Sequence, residues 1–267
     1  MPRYRLLLEY DGAAFVGWQR QAEGLSVQQA IEEAASHLND GRAVPCAAAG
    51  RTDAGVHAAG QVAQIDLARD HPPGRVRDAL NFYTRPLPLA VLDCALAPEG
   101  WHARFSATER AYEYVILNRR APAALDLGRV WHIPVPLDAA AMHAAAQTLV
   151  GRHDFSSFRA AACQATSALR TLDTLAVTRD GDRIRVFVRA RSFLHHQVRN
   201  MVGTLAQVGR RKLSAPDVAA ILAARDRRRA GETAPPQGLT LLFVRYDQTS
   251  HALTDETIGD GPGRCRP

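Results

Sequence analysis

The hydrophobic pattern divides the chain into short apolar runs broken by turn residues. Tyr4 to Tyr10 reads as a strand that ends at the Asp11-Gly12 turn signal. Ser26-Val27-Gln28-Gln29 has the form of a capping box. It opens a helix whose apolar stripe is Val27, Ala30, Ile31, Ala34, Ala35 and Leu38. A short strand follows at Val44 to Ala48. Ala63, Ile65 and Leu67 then alternate with Gln64 and Asp66, the period of a half-buried strand. A helix from Val76 to Phe82, a break at Pro86 and Pro88, and a strand from Val91 to Leu96 complete this first series.

A second series begins with a strand at Tyr112 to Leu117. Asp138 caps a helix that carries Met142, Ala145, Ala146 and Leu149 inward and stops at Gly151. Strands Leu172 to Arg179 and Arg183 to Arg191 are joined by the hairpin signal Asp180-Gly181-Asp182. A helix is expected from Phe193 to Val208, with Leu194, Val198, Met201, Val202 and Leu205 inward. Ser214 caps another, and Leu241 to Tyr246 is the closing strand. Hairpins outnumber parallel crossovers, so the expected class is α+β with mainly antiparallel sheets in two similar halves. The halves are residues 1–103 and 104–246, with the linker near Ala97 to Arg110. The polar, aperiodic stretch 247–267 is expected to be a disordered tail.

Composition adds little to this picture until charge is considered. With 46% hydrophobic and 22% charged residues in 267, the chain can bury a core that needs no disulfide or metal. The net charge is +6, carried almost wholly by arginine, since Lys212 is the one lysine. Such a surface fits a polyanionic partner, although a coding bias toward arginine produces the same composition. Cys46, Cys94, Cys163 and Cys265 show no CxxC or zinc-ligand spacing, so reduced thiols are expected. Leu6-Leu7-Leu8 is too short for a signal sequence, and no apolar run approaches a membrane span. A cytoplasmic protein is the expectation.

The densest chemistry lies in Ala49-Gly50-Arg51-Thr52-Asp53-Ala54-Gly55-Val56-His57-Ala58. In extended chain, residues two apart face the same way, so Arg51 and Asp53 can share a cleft. A guanidinium beside a carboxylate favours its ionised form and is itself suited to phosphates and base stacks. The same residues would also serve a plain polar turn.

Several segments decide between these readings. Tyr10-Asp11-Gly12 with Phe15-x-Gly17-Trp18-Gln19-x-Gln21, and Gly50 to His57, resemble the opening motif and the catalytic loop of the bacterial tRNA pseudouridine synthase A family. So do Trp101-His102-Ala103-Arg104-Phe105-Ser106-Ala107, Tyr112-x-Tyr114, His153-Asp154-Phe155-Ser156-Ser157-Phe158-Arg159, Phe193-x-His195-His196-x-Val198-Arg199-Asn200, and Ala234-Pro235-x-x-Gly238-Leu239. These segments run in order through residue 246. Departures are small: Trp101 stands where the family usually has Phe, and Arg110 where it has Lys.

The resemblance implies one catalytic unit with a central cleft, the pseudouridine synthase fold. It implies isomerisation of uridine to pseudouridine at positions 38, 39 and 40 of the tRNA anticodon stem-loop, with no cofactor and no metal, by a homodimer. Asp53 would be the nucleophile, attacking either the uracil ring or ribose C1′. Arg51 would fill the space left by the flipped base and pair with Asp53. Tyr112 would cover the uracil and relay a proton, and Arg199 would hold Asp53. His102, Arg104 and Arg120 are candidate RNA contacts. Tyr114 reads as a core tyrosine, and Trp18, Gly17 and Asp11 as support for the catalytic loop. Arg183, Arg185, Arg189 and Arg191 alternate with apolar residues, as on the solvated face of a strand. Adjacent His195 and His196 on one helix would not converge on a metal. The rival readings are a non-catalytic RNA-binding module, a nucleotide hydrolase, and a synthase of the same superfamily acting on another RNA.

Overall fold

The computed structural model describes residues 1–247, so the expected tail lies outside the described residues apart from Asp247. In chain order the first half holds β1 (Arg3–Tyr10), α1 (Val27–Ser36), β2 (Cys46–Ala48), β3 (His57–Asp66), α2 (Pro73–Tyr83) and β4 (Leu89–Leu96). The second holds β5 (Ala107–Leu117), β6 (Trp131–His132), α3 (Ala139–Gln147), β7 (Gly151–Asp154), β8 (Leu169–Asp180), β9 (Arg183–Ala190), α4 (Gln197–Gly209), α5 (Ala215–Ala224) and β10 (Leu239–Tyr246). In each half the first strand has a neighbour on both sides: β1 lies between β3 and β4, and β5 between β9 and β10. This bears out the α+β, mainly antiparallel expectation.

The two halves form one continuous sheet in the order β4-β1-β3-β10-β5-β9-β8-β7. The seam is a short parallel pairing of β3 with β10, His57 opposite Thr240 and Ala58 opposite Leu241. Leu241 is also opposite Tyr112 on β5. The loop that precedes β3 is thereby carried to the strand bearing Tyr112, two strands away. Tyr4, Leu6, Leu8, Ile65, Tyr114, Ile116, Ile184 and Val186 are buried along the sheet, and α1 and α3 bury Ile31 and Met142 in the same core. No described helix is long and apolar enough to cross a membrane.

The expected elements form with local differences. Ser26 accepts the Gln29 N–H at 3.1 Å, but the Gln29 side chain turns to Glu33 at 2.8 Å, so the cap is one-sided. Ser214 and Asp217 make the full reciprocal box. Asp138 caps α3 as expected, yet the helix ends at Gln147, and Gly151 opens the unexpected β7. The expected helix start at Phe193 is wrong: α4 begins at Gln197. His196 takes the left-handed conformation, φ 60°, and Gln197 closes a turn on Leu194, its N–H meeting the Leu194 carbonyl at 3.0 Å and its Oε1 the Leu194 N–H at 2.8 Å. Phe193 and Leu194 are in phase with the helix but precede it.

Candidate active site

The loop between β2 and β3 is held from three sides. Trp18 N–H donates to the Thr52 carbonyl at 3.0 Å, the Tyr10 and Thr52 hydroxyls meet at 2.8 Å, and Gln61 Nε2 donates to the Gly50 carbonyl at 2.8 Å. At Gly17 φ is +105°, and a Cβ there would sit 2.9 Å from the Thr52 carbonyl oxygen. Asp11 accepts from Ala13 N–H and pairs with Arg129 at 2.9 Å. Gly17 and Trp18 thus support the loop, as the sequence suggested, whereas the side-chain contacts of Asp11 are to its own turn, to Arg129 and to His57 at the start of β3. Gly55 needs its freedom, with φ +77°; Gly50 does not, since a Cβ would meet nothing closer than Arg110 Nε at 4.0 Å.

Asp53 projects from this loop with 20% of its side chain exposed. Arg199 Nη1, from the first turn of α4, donates to Asp53 Oδ2 at 2.9 Å and is itself only 12% exposed. Arg199 Nε donates to the Ala234 carbonyl at 2.8 Å, so the guanidinium is fixed at two points. The two histidines that precede α4 also reach the carboxylate. His195 Nε2 lies 3.4 Å from Oδ1 and His196 Nε2 3.4 Å from Oδ2.

Two expectations are corrected here. Arg199 reaches Asp53, the contact the resemblance implied, but Arg51 does not pair with it: Arg51 is exposed at the cleft, with no ion pair to Asp53 among the described residues. And His195 and His196 do converge, because both stand in the turn ahead of the helix rather than on its surface. Their ring nitrogens and the Asp53 carboxylate lie within 4.8 Å of one another, close enough to hold a metal ion. Arg199 already occupies one of those oxygens. Burial pushes the His196 imidazole below its ordinary range, with Asp53 opposing and His195, Arg199 and Arg227 adding to the shift.

Tyr112 stands on β5 beside Phe193, edge to face at 5.3 Å. Burial pushes its phenol well up, helped by Tyr10 and the Asp53 charge. Tyr114 is fully buried and donates to the Pro235 carbonyl at 2.7 Å, the core role expected of it.

Asp53, Arg51, Tyr112, Arg199, His102 and Arg104 all line one cleft of about 970 Å³. Arg120 is exposed in the β5–β6 connection and does not line it. Burial, then Arg3 and Arg104, push the His102 imidazole down. The arginine ladder is largely neutralised at home. Arg183 pairs with Asp126 at 2.6 Å, Arg185 with Glu113 at 2.7 Å and Arg189 with Glu109 at 3.4 Å.

Arg110 is the residue whose role sequence reasoning missed. It is buried in the cleft wall and donates to the carbonyls of Ala49 (2.7 Å), Arg104 (2.9 Å), Ala107 (3.3 Å) and Arg191. Desolvation pushes its guanidinium down. One cation therefore ties the Asp53 loop to the segment before β5 and to the end of β9. Its signal was a lone arginine flanking Ala111-Tyr112 in an otherwise strand-like run.

Comparison with known proteins places these features in a family. A model of the tRNA pseudouridine synthase family matches residues 7–106 and 145–247. A protein of Paramagnetospirillum magneticum named tRNA pseudouridine synthase A is 60% identical over 248 residues, covering 92% of this chain and 96% of that relative. Proteins of the same name from Acidiphilium cryptum and Rhodospirillum rubrum are each 59% identical, over 92% of this chain and 97% and 88% of their own lengths.

Proposed function

The chain belongs to the tRNA pseudouridine synthase family, and from that premise we propose how it isomerises uridine to pseudouridine in tRNA. The targets are uridines at positions 38 to 40 of the anticodon stem-loop. The carrying observation is one carboxylate, Asp53, held by Arg199 at 2.9 Å and still open to a cleft large enough for an everted nucleotide.

Asp53 is the nucleophile: its carboxylate bonds transiently to ribose C1′ or to the uracil ring, and that bond is broken again within the same turnover, so the side chain returns unchanged. The N1–C1′ bond breaks, the uracil turns, C5 bonds to C1′, and the C5 proton is lost as N1 gains one. Atoms and electrons balance within the substrate, so no redox partner enters. Arg199 holds the carboxylate in place and aimed. Its two-point attachment means that the carboxylate need not reorganise during reaction.

Tyr112 offers the ring face and a hydroxyl at the uracil. Because its phenol holds its proton strongly, it relays one only by giving a proton as it takes another. Arg51 carries no ion pair to Asp53, which leaves its planar group available to stack where the flipped base was. His102 and Arg104 contact RNA along the cleft, and Arg120 meets phosphate outside it. The active form is a homodimer working in the cytoplasm, where a pair of basic subunits gives the tRNA a longer groove. Sedimentation of a monomer at micromolar concentration counts against the dimer.

The test is direct. Purified protein incubated with an unmodified anticodon stem-loop should form pseudouridine on its 3′ side, mapped by mass spectrometry of nuclease fragments. Modification only elsewhere in the RNA would overturn the site assignment.

A further inference from the structure

Ten large hydrophobic side chains stand exposed among the described residues, and Phe105 is the one that lines the cleft. Its ring is 72% exposed. A single exposed hydrophobic side chain is ordinary in itself. The backbone beneath this one is not ordinary, because it is fastened at every side.

His102 N–H donates to Ser106 Oγ at 3.0 Å, and Ser106 N–H returns to the His102 carbonyl at 3.0 Å. Ala103 N–H donates to Gln64 Oε1 at 2.7 Å, and the Ala103 carbonyl accepts from the Tyr246 hydroxyl at 2.7 Å. Arg104 N–H donates to His102 Nδ1 at 3.0 Å, and the Arg104 carbonyl accepts from Arg110. Trp101 and Ala103 are buried below the turn. Phe105 is therefore presented to the cleft by a rigid turn and packs into no core.

We propose that the Phe105 ring is a stacking platform for a nucleobase beside the target uridine, an inference that rests on the tRNA reading above. Everting one nucleotide strips its neighbours of a stacking face, and an aromatic side chain replaces that face for any base. Ordering the ring costs little, because its backbone is already fixed. The neighbouring groups suit the same ligand. The His102 ring packs beside the Phe105 ring at 4.5 Å with a 38° tilt and supports it, and the Arg104 guanidinium is over the ring at 5.8 Å, placing a cation for the adjoining phosphate.

The experiment compares Phe105→Ala, Phe105→Leu and Phe105→Trp with the full wild-type protein. It reads Kd for an unmodified tRNA transcript at several salt concentrations, and pseudouridine formation. Phe105→Ala should raise Kd about 5- to 150-fold, the range of one lost base–aromatic stack, with the salt slope unchanged. Leucine should behave like alanine, and tryptophan should bind at least as tightly as wild type. With 2-aminopurine on either side of the target, wild-type binding should change the fluorescence and Phe105→Ala should lose that change.

A Phe105→Ala Kd within about twofold of wild type overturns the proposal. So does full rescue by leucine, which assigns a plain apolar contact. Loss of a dimer with unchanged tRNA affinity assigns the ring to protein contact and overturns it too. If the wild-type protein neither binds nor modifies tRNA, the reading of the whole site fails, and this inference with it.

Discussion

Arg199 Nη1 and Asp53 Oδ2 meet at 2.9 Å although 146 positions separate them in the chain. The β3–β10 seam and the start of α4 have to be in place before this ion pair can form. Asp53→Asn keeps the shape and a hydrogen-bond acceptor for Arg199 while removing the anion proposed as nucleophile. It should bind tRNA as wild type does and lose pseudouridine formation by about 1,000-fold or more. Turnover near wild type, measured by tritium release from 5-tritiated uridine in tRNA, would refute the nucleophile. Arg199→Lys keeps the charge but loses the fork that reaches Asp53 and Ala234 together. It should lower kcat about 100-fold with a smaller change in KM.

The local chemistry of the site was legible in the sequence, and its long-range geometry was not. Gly17 and Trp18 appear as support because turn and motif residues announce themselves within a few positions. The partner of Asp53 is a different matter. The resemblance pointed to Arg199, which no local pattern places beside Asp53 because the sheet seam brings it in from the other half; sequence proximity added Arg51, which makes no ion pair with Asp53 among the described residues. The two histidines were read through a helix that starts at Gln197, four residues after the apparent phase begins. Periodicity cannot register a left-handed residue such as His196, whose φ of 60° ends the phase. Arg183, Arg185 and Arg189 were rightly read as a strand face, whereas Arg191 lies just past the end of β9. Their carboxylate partners on β5 and beyond depend on register, which no single segment encodes.

Arg110 offers a test of how far the loop depends on its mooring. Replacing it by methionine keeps much of the volume but leaves four carbonyl groups without their donor, two of them flanking the cleft at Ala49 and Arg104. Unsatisfied buried acceptors are costly, so Arg110→Met should lose about 3 kcal/mol of stability by denaturant titration. The activity per folded molecule should also fall, because Ala49 lies two residues before Arg51 and four before Asp53 on the same loop. Unchanged activity in the folded fraction would show that the loop is positioned without it.

His196 predicts a pH dependence with a definite sign. Its folded-state imidazole is pushed below the ordinary value, mainly by burial, so between that lowered value and about 6.5 the unfolded chain binds more protons. The contribution is fully present above about pH 6.5 and is lost as pH falls toward the folded value. The Tm of wild type should therefore decline on acidification in this window. His196→Asn, which tolerates the left-handed backbone, should decline less steeply. His102 shifts in the same direction, so His102→Asn belongs beside it as a control. Identical Tm profiles for wild type and His196→Asn would remove the assignment.

The Asp53, His195 and His196 cluster has ligand spacing, yet the proposed chemistry needs those carboxylate oxygens for Arg199 and for the substrate. Activity should therefore survive dialysis against a chelator. Added Zn²⁺ should inhibit, because a metal ion on the cluster would tie up the nucleophile. His195→Ala should weaken that inhibition. Loss of activity on chelation, restored by metal, would overturn the metal-free mechanism.

The final contrast is between arginines that look alike in the sequence. Arg104 lines the cleft with its guanidinium over Phe105, whereas Arg185 is matched by Glu113 at 2.7 Å on the neighbouring strand. A cation already paired with a carboxylate gains little from a phosphate, because it must first give up its partner. Arg104→Gln should weaken tRNA binding about fivefold or more and reduce the slope of log affinity against log salt by about 1. The paired change Arg185→Gln with Glu113→Gln removes one charge of each sign and should leave both quantities near wild type. The reverse ranking, read from filter-binding isotherms across a salt series, would place the RNA on the ladder face of the sheet instead of in the cleft.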